Sequence, residues 1–260
     1  MLSVGDPPAV WHENSGGRAP VLLICDHASN RLPVGLNELG IEKSILEQHV
    51  GWDIGAADLT RGLARRLDAP AVLSGYSWLV IDCNRPLENS ASIPSISGGY
   101  AIPGNQNVDA KAVEARAEAC FWPYHRAIEQ AIEDYLARGV VPAVISIHSF
   151  TPHFDGVGRR WQVGVLWDRD SRLPHPVMAK LSEDAGIVVG DNEPYSANNP
   201  PAYSIPVHAL ARGLPHILLE VRQDLIDSAR GVIEWTERLA CALEPPLGDP
   251  QLYRVSRAAL

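Results

Sequence analysis

The sequence predicts a three-layer α/β fold, with a central β-sheet covered by helices on both faces. Three observations predict it. Apolar runs at 20–25, 140–147 and 214–221 are nearly unbroken, as strands buried on both faces are. Segments with helical spacing at 42–67, 109–138 and 228–243 separate them, the alternation expected of a sheet built largely from parallel strands. Strand candidates at 71–73 and 78–81 stand only a Ser-Gly turn apart, which leaves room for antiparallel pairing and so for a mixed sheet.

The composition fits such a fold and narrows the function. The chain has 260 residues, of which 46% are apolar and 20% charged, enough for a substantial core in one domain spanning 1–260. A formal charge of −9 argues against a nucleic-acid or membrane partner, while a local basic pocket for a small anionic substrate remains compatible with it. Cys25, Cys83, Cys120 and Cys241 form no CxxC pair, so reduced cysteines and a cytoplasmic location are expected. No stretch approaches the roughly 18 apolar residues of a membrane span, and the first residues lack a signal-peptide pattern. The oligomeric state is not legible.

In chain order, 1–20 is rich in Gly, Pro and polar residues and leads irregularly into the first central strand at 20–25. That strand stops abruptly at Asp26-His27-Ala28-Ser29-Asn30. Segment 42–67 is helical with a break near Gly51, and a continuous helix would set His49 and Asp53 on one face. The strand at 78–81 ends in Asp82-Cys83-Asn84-Arg85-Pro86. Residues 87–107 form a long loop, a candidate wall or lid. The helix at 109–138 has Asp109 as N-cap, Pro123 as interruption and Gly139 as stop. Strand 140–147 runs into His148-Ser149-Phe150. A strand at 161–167, a helix at 176–185, a short strand at 187–190 and a polar loop at 191–206 follow. A short helix at 207–212 precedes the last core strand at 214–221, which carries Glu220 to its end, and the helix at 228–243 closes the chain.

Polar groups at strand ends are the candidates for chemistry, because open α/β sheets hold their ligands there. His27, Asn84, Arg85, His148 and Glu220 all occupy such ends. Each also has a structural explanation: a hydrogen-bonded histidine, an Arg85 pair with Asp82, a Glu220 bridge to Arg222. Taken together, two histidines from separate strand ends and a carboxylate would make an open catalytic zinc site with water in the remaining position. Glu220, beside an apolar strand that raises its proton affinity, suits a general base. Arg85 has the fork geometry that holds a carboxylate with two parallel hydrogen bonds. No serine sits in Gly-x-Ser-x-Gly, Cys25 reads as a buried thiol, and Trp78 and Trp161 as core.

The landmarks DHASNRLP at 26–33, WDIGA at 52–56, IDCNRP at 81–86, WPYH at 122–125, SIHSF at 146–150 and LLEVRQDLI at 218–226 resemble, in this order, those of the N-formylglutamate amidohydrolases. These are zinc enzymes distantly similar to zinc carboxypeptidases and aspartoacylase-like deacylases, and the resemblance covers about 20–226. It implies a three-layer α/β/α fold of the zinc carboxypeptidase-like hydrolases. It also implies hydrolysis of a linear N-acyl amide such as N-formylglutamate, a step of histidine degradation. Related deacylation of a larger acyl group and metal binding without turnover are the alternatives. By this resemblance one Zn2+ is held by His27 and His148, Asn84-Arg85 binds the substrate carboxylate, and Glu220 is the catalytic acid/base.

Two positions depart from the family pattern. The first motif commonly reads Pro-His-Ser-Gly where this chain has Asp26-His27-Ala28-Ser29, marking a divergent subgroup whose substrate can differ. The His-x-x-Glu of the carboxypeptidase-like relatives becomes His27-x-x-Asn30. Asp53 is therefore the preferred third ligand, with Asn30 and His49 as alternatives, while Asn30 and Arg222 join Asn84 and Arg85 as candidate substrate contacts. Pro123-Tyr124-His125 supplies either a donor near the substrate or a helix kink with aromatic packing.

Overall fold

The computed structural model describes residues 1–196 and 202–256. Its strands are β1 (Val10–Glu13), β2 (Val21–Cys25), β3 (Ala71–Ser74), β4 (Ile96–Ser97), β5 (Tyr100–Ala101), β6 (Ala143–Phe150), β7 (His153–Phe154), β8 (Val157–Gly158), β9 (Val163–Leu166), β10 (Val189–Asp191) and β11 (His216–Arg222). Its α-helices are α1 (Lys43–Leu46), α2 (Ala56–Arg66), α3 (Ala110–Arg116), α4 (Trp122–Ala137), α5 (Pro174–Leu181), α6 (Ser204–His208) and α7 (Ala229–Leu247).

Seven strands make one mixed sheet in the order β1-β3-β2-β6-β11-β9-β10. Strands β3, β2, β6 and β11 run parallel, β1 joins antiparallel at one edge, and β9 with β10 runs antiparallel to β11. All five residues of β2 are buried because they alternate between two helical layers. Val21, Leu23 and Cys25 pack with α2 and α7, while Leu22 and Ile24 pack with Tyr124, Ile128 and Ile132 of α4. A one-residue slip would exchange the two sets, so packing fixes the register.

The chain leaves β2 for β3 on one side and later returns to β6 on the other. The connections after β2 and β6 therefore diverge, opening a crevice at the carboxyl ends of those strands. The fold places its polar strand ends there.

Several elements differ from the sequence expectation. The irregular lead contains β1, whose apolar positions pair with β3. Residues 78–81 are not a strand: Leu79, Val80 and Ile81 are buried in a turn-rich segment, so their apolar character reports burial rather than extended pairing. Segment 42–67 splits into α1 and α2 with non-helical residues between, which removes the shared helix face of His49 and Asp53. Pro123 does not interrupt its helix, because α3 continues into α4 through a π-helical turn at Ala117–Phe121 that absorbs the missing donor. The Asp109 cap is present, accepting from Ala112 N at 2.7 Å. The helix expected at 176–185 lies at Pro174–Leu181, and α7 extends past 243 through Pro245 and Pro246. Loop 87–107 folds around Asn105, whose Nδ2 donates to Leu79 O and Pro94 O, and contributes no residue to the cavity described below. Within the polar loop at 191–206, residues 197–201 lie outside the described residues.

Candidate active site

Local structure brings three donors together at the crevice. His27 follows β2, and its carbonyl accepts from Asp53 N at 3.0 Å, which ties the Asp53 loop to the strand end. Asp53 Oδ2 accepts from Ser149 N at 3.2 Å, and Ser149 Oγ donates to Ile54 O at 2.8 Å, so the end of β6 holds the same loop. Gly55 turns that loop into α2 at φ +79°, where a side chain would run into Ile226 O. His148 lies within β6, in register with Glu220 of β11.

The ring nitrogens show a consistent division. His148 Nδ1 and His27 Nδ1 face Asp53 Oδ2 at 2.9 and 3.4 Å. The outer nitrogens end on buried carboxylates, His148 Nε2 on Asp26 Oδ2 at 3.0 Å and His27 Nε2 on Asp82 Oδ1 at 2.8 Å. Among the described residues, His27, Asp53 and His148 are the group of three whose donor atoms all lie within 4.8 Å of one another. A carboxylate behind each histidine is the arrangement that orients imidazoles toward a metal, keeping the proton on Nε2 and the lone pair on Nδ1. The donor set, two imidazole nitrogens and one carboxylate oxygen, can hold a metal ion.

Charge balance explains the proton affinities of the metal-free cluster. Burial alone would lower both histidines, but Asp82 and Asp53 raise His27 to about 9, and Asp26 and Asp53 raise His148 well above its ordinary value. Burial would raise Asp53, yet the flanking histidines pull it to about 2, and Asp26 is lowered likewise. Glu220 behaves oppositely. Burial pushes it up to about 7, only partly offset by His148, and its Oε2 has no hydrogen-bond partner among the described residues.

These groups line a cavity of about 280 Å³, which Arg85, Asn84 and Tyr195 share with Trp78, whose ring meets His27 edge-on at 4.7 Å. Asp82 links the donor cluster to the Asn84-Arg85 turn, since its Oδ1 also accepts from Asn84 N at 2.8 Å and its Oδ2 lies 3.9 Å from Arg85 Nε. Asn84 Oδ1 accepts from Tyr203 N and Ser204 N, fixing the amide against the start of α6. Tyr195 Oη accepts from Arg159 Nη1 at 3.1 Å. Because a guanidinium only donates, the tyrosine keeps its own proton for a ligand. Gly164, beside Glu220 in the sheet register, admits the Glu193 carbonyl where a side chain would clash, and so seats the Tyr195 loop next to the carboxylate.

A family model described as N-formylglutamate amidohydrolase matches residues 19–227, four-fifths of the chain. The chain belongs to the N-formylglutamate amidohydrolase family. It is accordingly a hydrolase acting on amide bonds and takes a small substrate. Among solved structures, a gene product of Agrobacterium tumefaciens is 34% identical, with a TM-score of 0.92 over 95% of this chain and 98% of that one. An N-formylglutamate amidohydrolase from Ralstonia eutropha JMP134 is 19% identical, with a TM-score of 0.64 over 92% and 97% of the two chains, a likeness of fold. No curated protein matches the chain.

Within this N-formylglutamate amidohydrolase family member, His27, Asp53, His148, Asn84, Arg85 and Glu220 meet at one cavity. Three other candidates stand elsewhere. Asn30 donates from Nδ2 to Leu46 O at 3.2 Å and lines a separate cleft of about 220 Å³. Arg222 pairs with Asp224 at 2.8 Å and donates to Arg159 O, outside the cavity lining. His49 lies in the turn after α1, near Gly98, and is absent from the donor cluster. His125 is a buried bridge whose Nε2 donates to Cys83 O at 2.9 Å and whose Nδ1 meets His208 Nε2 at 2.9 Å. Asp26, Asp82 and Tyr195 carry contacts that the sequence did not single out. Asp26 was legible only as a departure from the family motif, and Asp82 as an alternative partner for Arg85.

Proposed function

We propose that this chain is a zinc-dependent amidohydrolase that cleaves the acyl–nitrogen bond of an N-formyl or related N-acyl amino acid. The observation that carries the proposal is the pair of histidines converging through Nδ1 on Asp53 while each outer nitrogen is backed by a buried carboxylate. His27, His148 and Asp53 would hold one Zn2+. When bound, the ion supplies Lewis acidity, polarising the acyl oxygen and lowering the pKa of water from ~15.7 toward ~7.

The remaining steps belong to side chains of the protein. Arg85 receives the substrate carboxylate, with Asn84 held rigidly beside it, so that binding energy is converted into alignment of the scissile bond. Glu220, whose proton affinity is poised near neutrality, takes a proton from the attacking water as its oxygen bonds to the acyl carbon. It returns that proton to the nitrogen as the carbon–nitrogen bond breaks, leaving a carboxylic acid and a free amine. Tyr195 donates its hydroxyl proton toward the oxygen on which charge develops, with Arg159 behind it.

The test combines elemental analysis with release of formate and amine from N-formyl amino acids before and after chelation. Near-stoichiometric zinc and chelator-sensitive turnover are expected. Turnover that survives complete metal removal would refute the zinc step.

A further inference from the structure

The cavity extends well beyond the reacting groups, along one strand. His216, Leu218 and Glu220 occupy alternate positions of β11, so they share a face of the sheet, and all three line the cavity. At about 3.3 Å per residue, His216 lies roughly 13 Å along the strand from Glu220. The wall between them is apolar. Leu166 stands across from Leu218 in the antiparallel register, and Ile205 and Leu210 close over it from α6 and the turn that follows.

The far end of this arm carries two side chains with acceptor atoms, His216 and Asp168. His216 is buried, and its Nδ1 lies 2.8 Å from Leu214 O. A carbonyl can only accept, so Nδ1 carries a proton. Burial disfavours the charged ring, which leaves Nε2 with a lone pair, and Nε2 has no partner among the described residues. Asp168 lines the same cavity and acts on the charge of His216, and its Oδ2 lies 3.3 Å from Nε of Arg169, whose side chain is largely exposed; Asp170 and Arg172, which also act on His216 and in opposite senses, are paired with each other at 2.9 Å and stand outside the cavity lining. His216 and Asp168 therefore both offer acceptors to a ligand in the arm. The arm also belongs to the amine half of the substrate, because Asn84 of the carboxylate-holding turn is bonded to Tyr203 N and Ser204 N, immediately before Ile205 in the arm wall.

We propose that this arm is a side-chain subsite for an apolar chain ending in a hydrogen-bond-donating cation, so that the substrate is the N-acyl derivative of a basic amino acid such as lysine rather than glutamate. This rests on the amidohydrolase function proposed above. A glutamate side chain would bring a carboxylate against a lone pair and a second carboxylate, whereas an ammonium group satisfies both. An unpaired buried acceptor rejects an analogue that lacks the donor, and a site built on such groups discriminates by about 10²-fold or more.

The experiment compares Nα-formyl-lysine, N-formylnorleucine and N-formylglutamate as substrates of the zinc-loaded protein by kcat/KM, and free lysine, norleucine and glutamate as ligands by calorimetry. Norleucine keeps the chain and removes the donor. A lysine preference of about 10²-fold over norleucine is expected in both measurements, and His216→Phe is expected to bring that ratio close to one. Should His216→Phe fail to fold, the wild-type ratios decide alone. Turnover without preference for lysine would overturn the subsite and leave the hydrolase proposal standing. Preferential binding of lysine without turnover of any formyl amino acid would support the subsite and overturn the hydrolase proposal. Absence of both turnover and binding preference overturns the two together.

Discussion

Replacing Glu220 by Gln separates the catalytic value of this carboxylate from its cost to the fold. Gln keeps the shape and removes the proton acceptor, so loss of general-base catalysis is expected to lower kcat by about 10²–10⁴-fold. Stability should move the other way. Glu220 is buried, its Oε2 is unpartnered, and burial raises its pKa from 4.5 to about 7. Between those values the folded state binds more protons than the unfolded one, so its stability contribution is present below pH 4.5 and is lost as pH rises through 7. At 1.36 kcal/mol per pKa unit the metal-free wild type is destabilised by about 3 kcal/mol at pH 8 relative to a neutral carboxamide. For a chain of this length that corresponds to a melting temperature roughly 6–12 °C higher in the variant. The assay is thermal unfolding of chelated wild type and Glu220→Gln at pH 4.5 and pH 8, alongside turnover of the zinc-loaded forms. Equal melting temperatures at pH 8 would show that the carboxylate is not desolvated, and wild-type turnover in Glu220→Gln would remove it from proton transfer.

Asp53→Asn should lower bound zinc measured by elemental analysis, whereas Asn30→Ala and His49→Ala should leave it unchanged, because neither side chain joins the donor cluster. Zinc at 100 times its dissociation constant should raise wild-type unfolding stability by about 2.7 kcal/mol, an increment that chelation removes. Arg85→Ala should raise KM roughly 10–100-fold through loss of a charge-assisted contact to the substrate carboxylate, seen in initial rates against substrate concentration. Tyr195→Phe should lower kcat by about 10²-fold with little change in KM, since its proton is needed only where charge develops. Burial lowers His125 and His208 to about 4, so unfolding takes up protons below pH 6.5 and stability should fall as pH drops from 6.5 toward 4. The loss approaches roughly 2 kcal/mol per histidine at pH 5, readable as a flatter pH dependence of urea midpoints in His125→Gln.

The buried strands and their polar ends were legible because both follow from local chemistry. Five consecutive apolar residues before Asp26 admit little but a strand covered on both faces, and His27, His148 and Glu220 interrupt or follow such runs where apolar packing would not place them. Spacing failed where tertiary burial imitates it. Leu79-Val80-Ile81 resembles a strand because all three are buried, and His49 with Asp53 resembles a helix face although the chain between α1 and α2 is not helical. His216 and Tyr195 gave no signal, since one sits inside an apolar strand and the other in a loop rich in Asn and Pro.

Asp26 shows why the partner of a side chain is harder to read than its type. It is adjacent to His27 in sequence, yet its carboxylate serves His148 on the neighbouring strand, while His27 is served by Asp82 from 55 residues away. Asp26 therefore puts a second backing carboxylate into the site, beside Asp82. Asp26, Asp53 and Asp82 are all buried around two histidines, and unbalanced negative charge there would cost several kcal/mol. Without metal the balance comes from protons on Nδ1 of His27 and His148, which explains their raised affinities. A divalent cation can replace those two protons with no change in total charge, so Asp26 adds to the negative charge that an ion held by His27, Asp53 and His148 would balance.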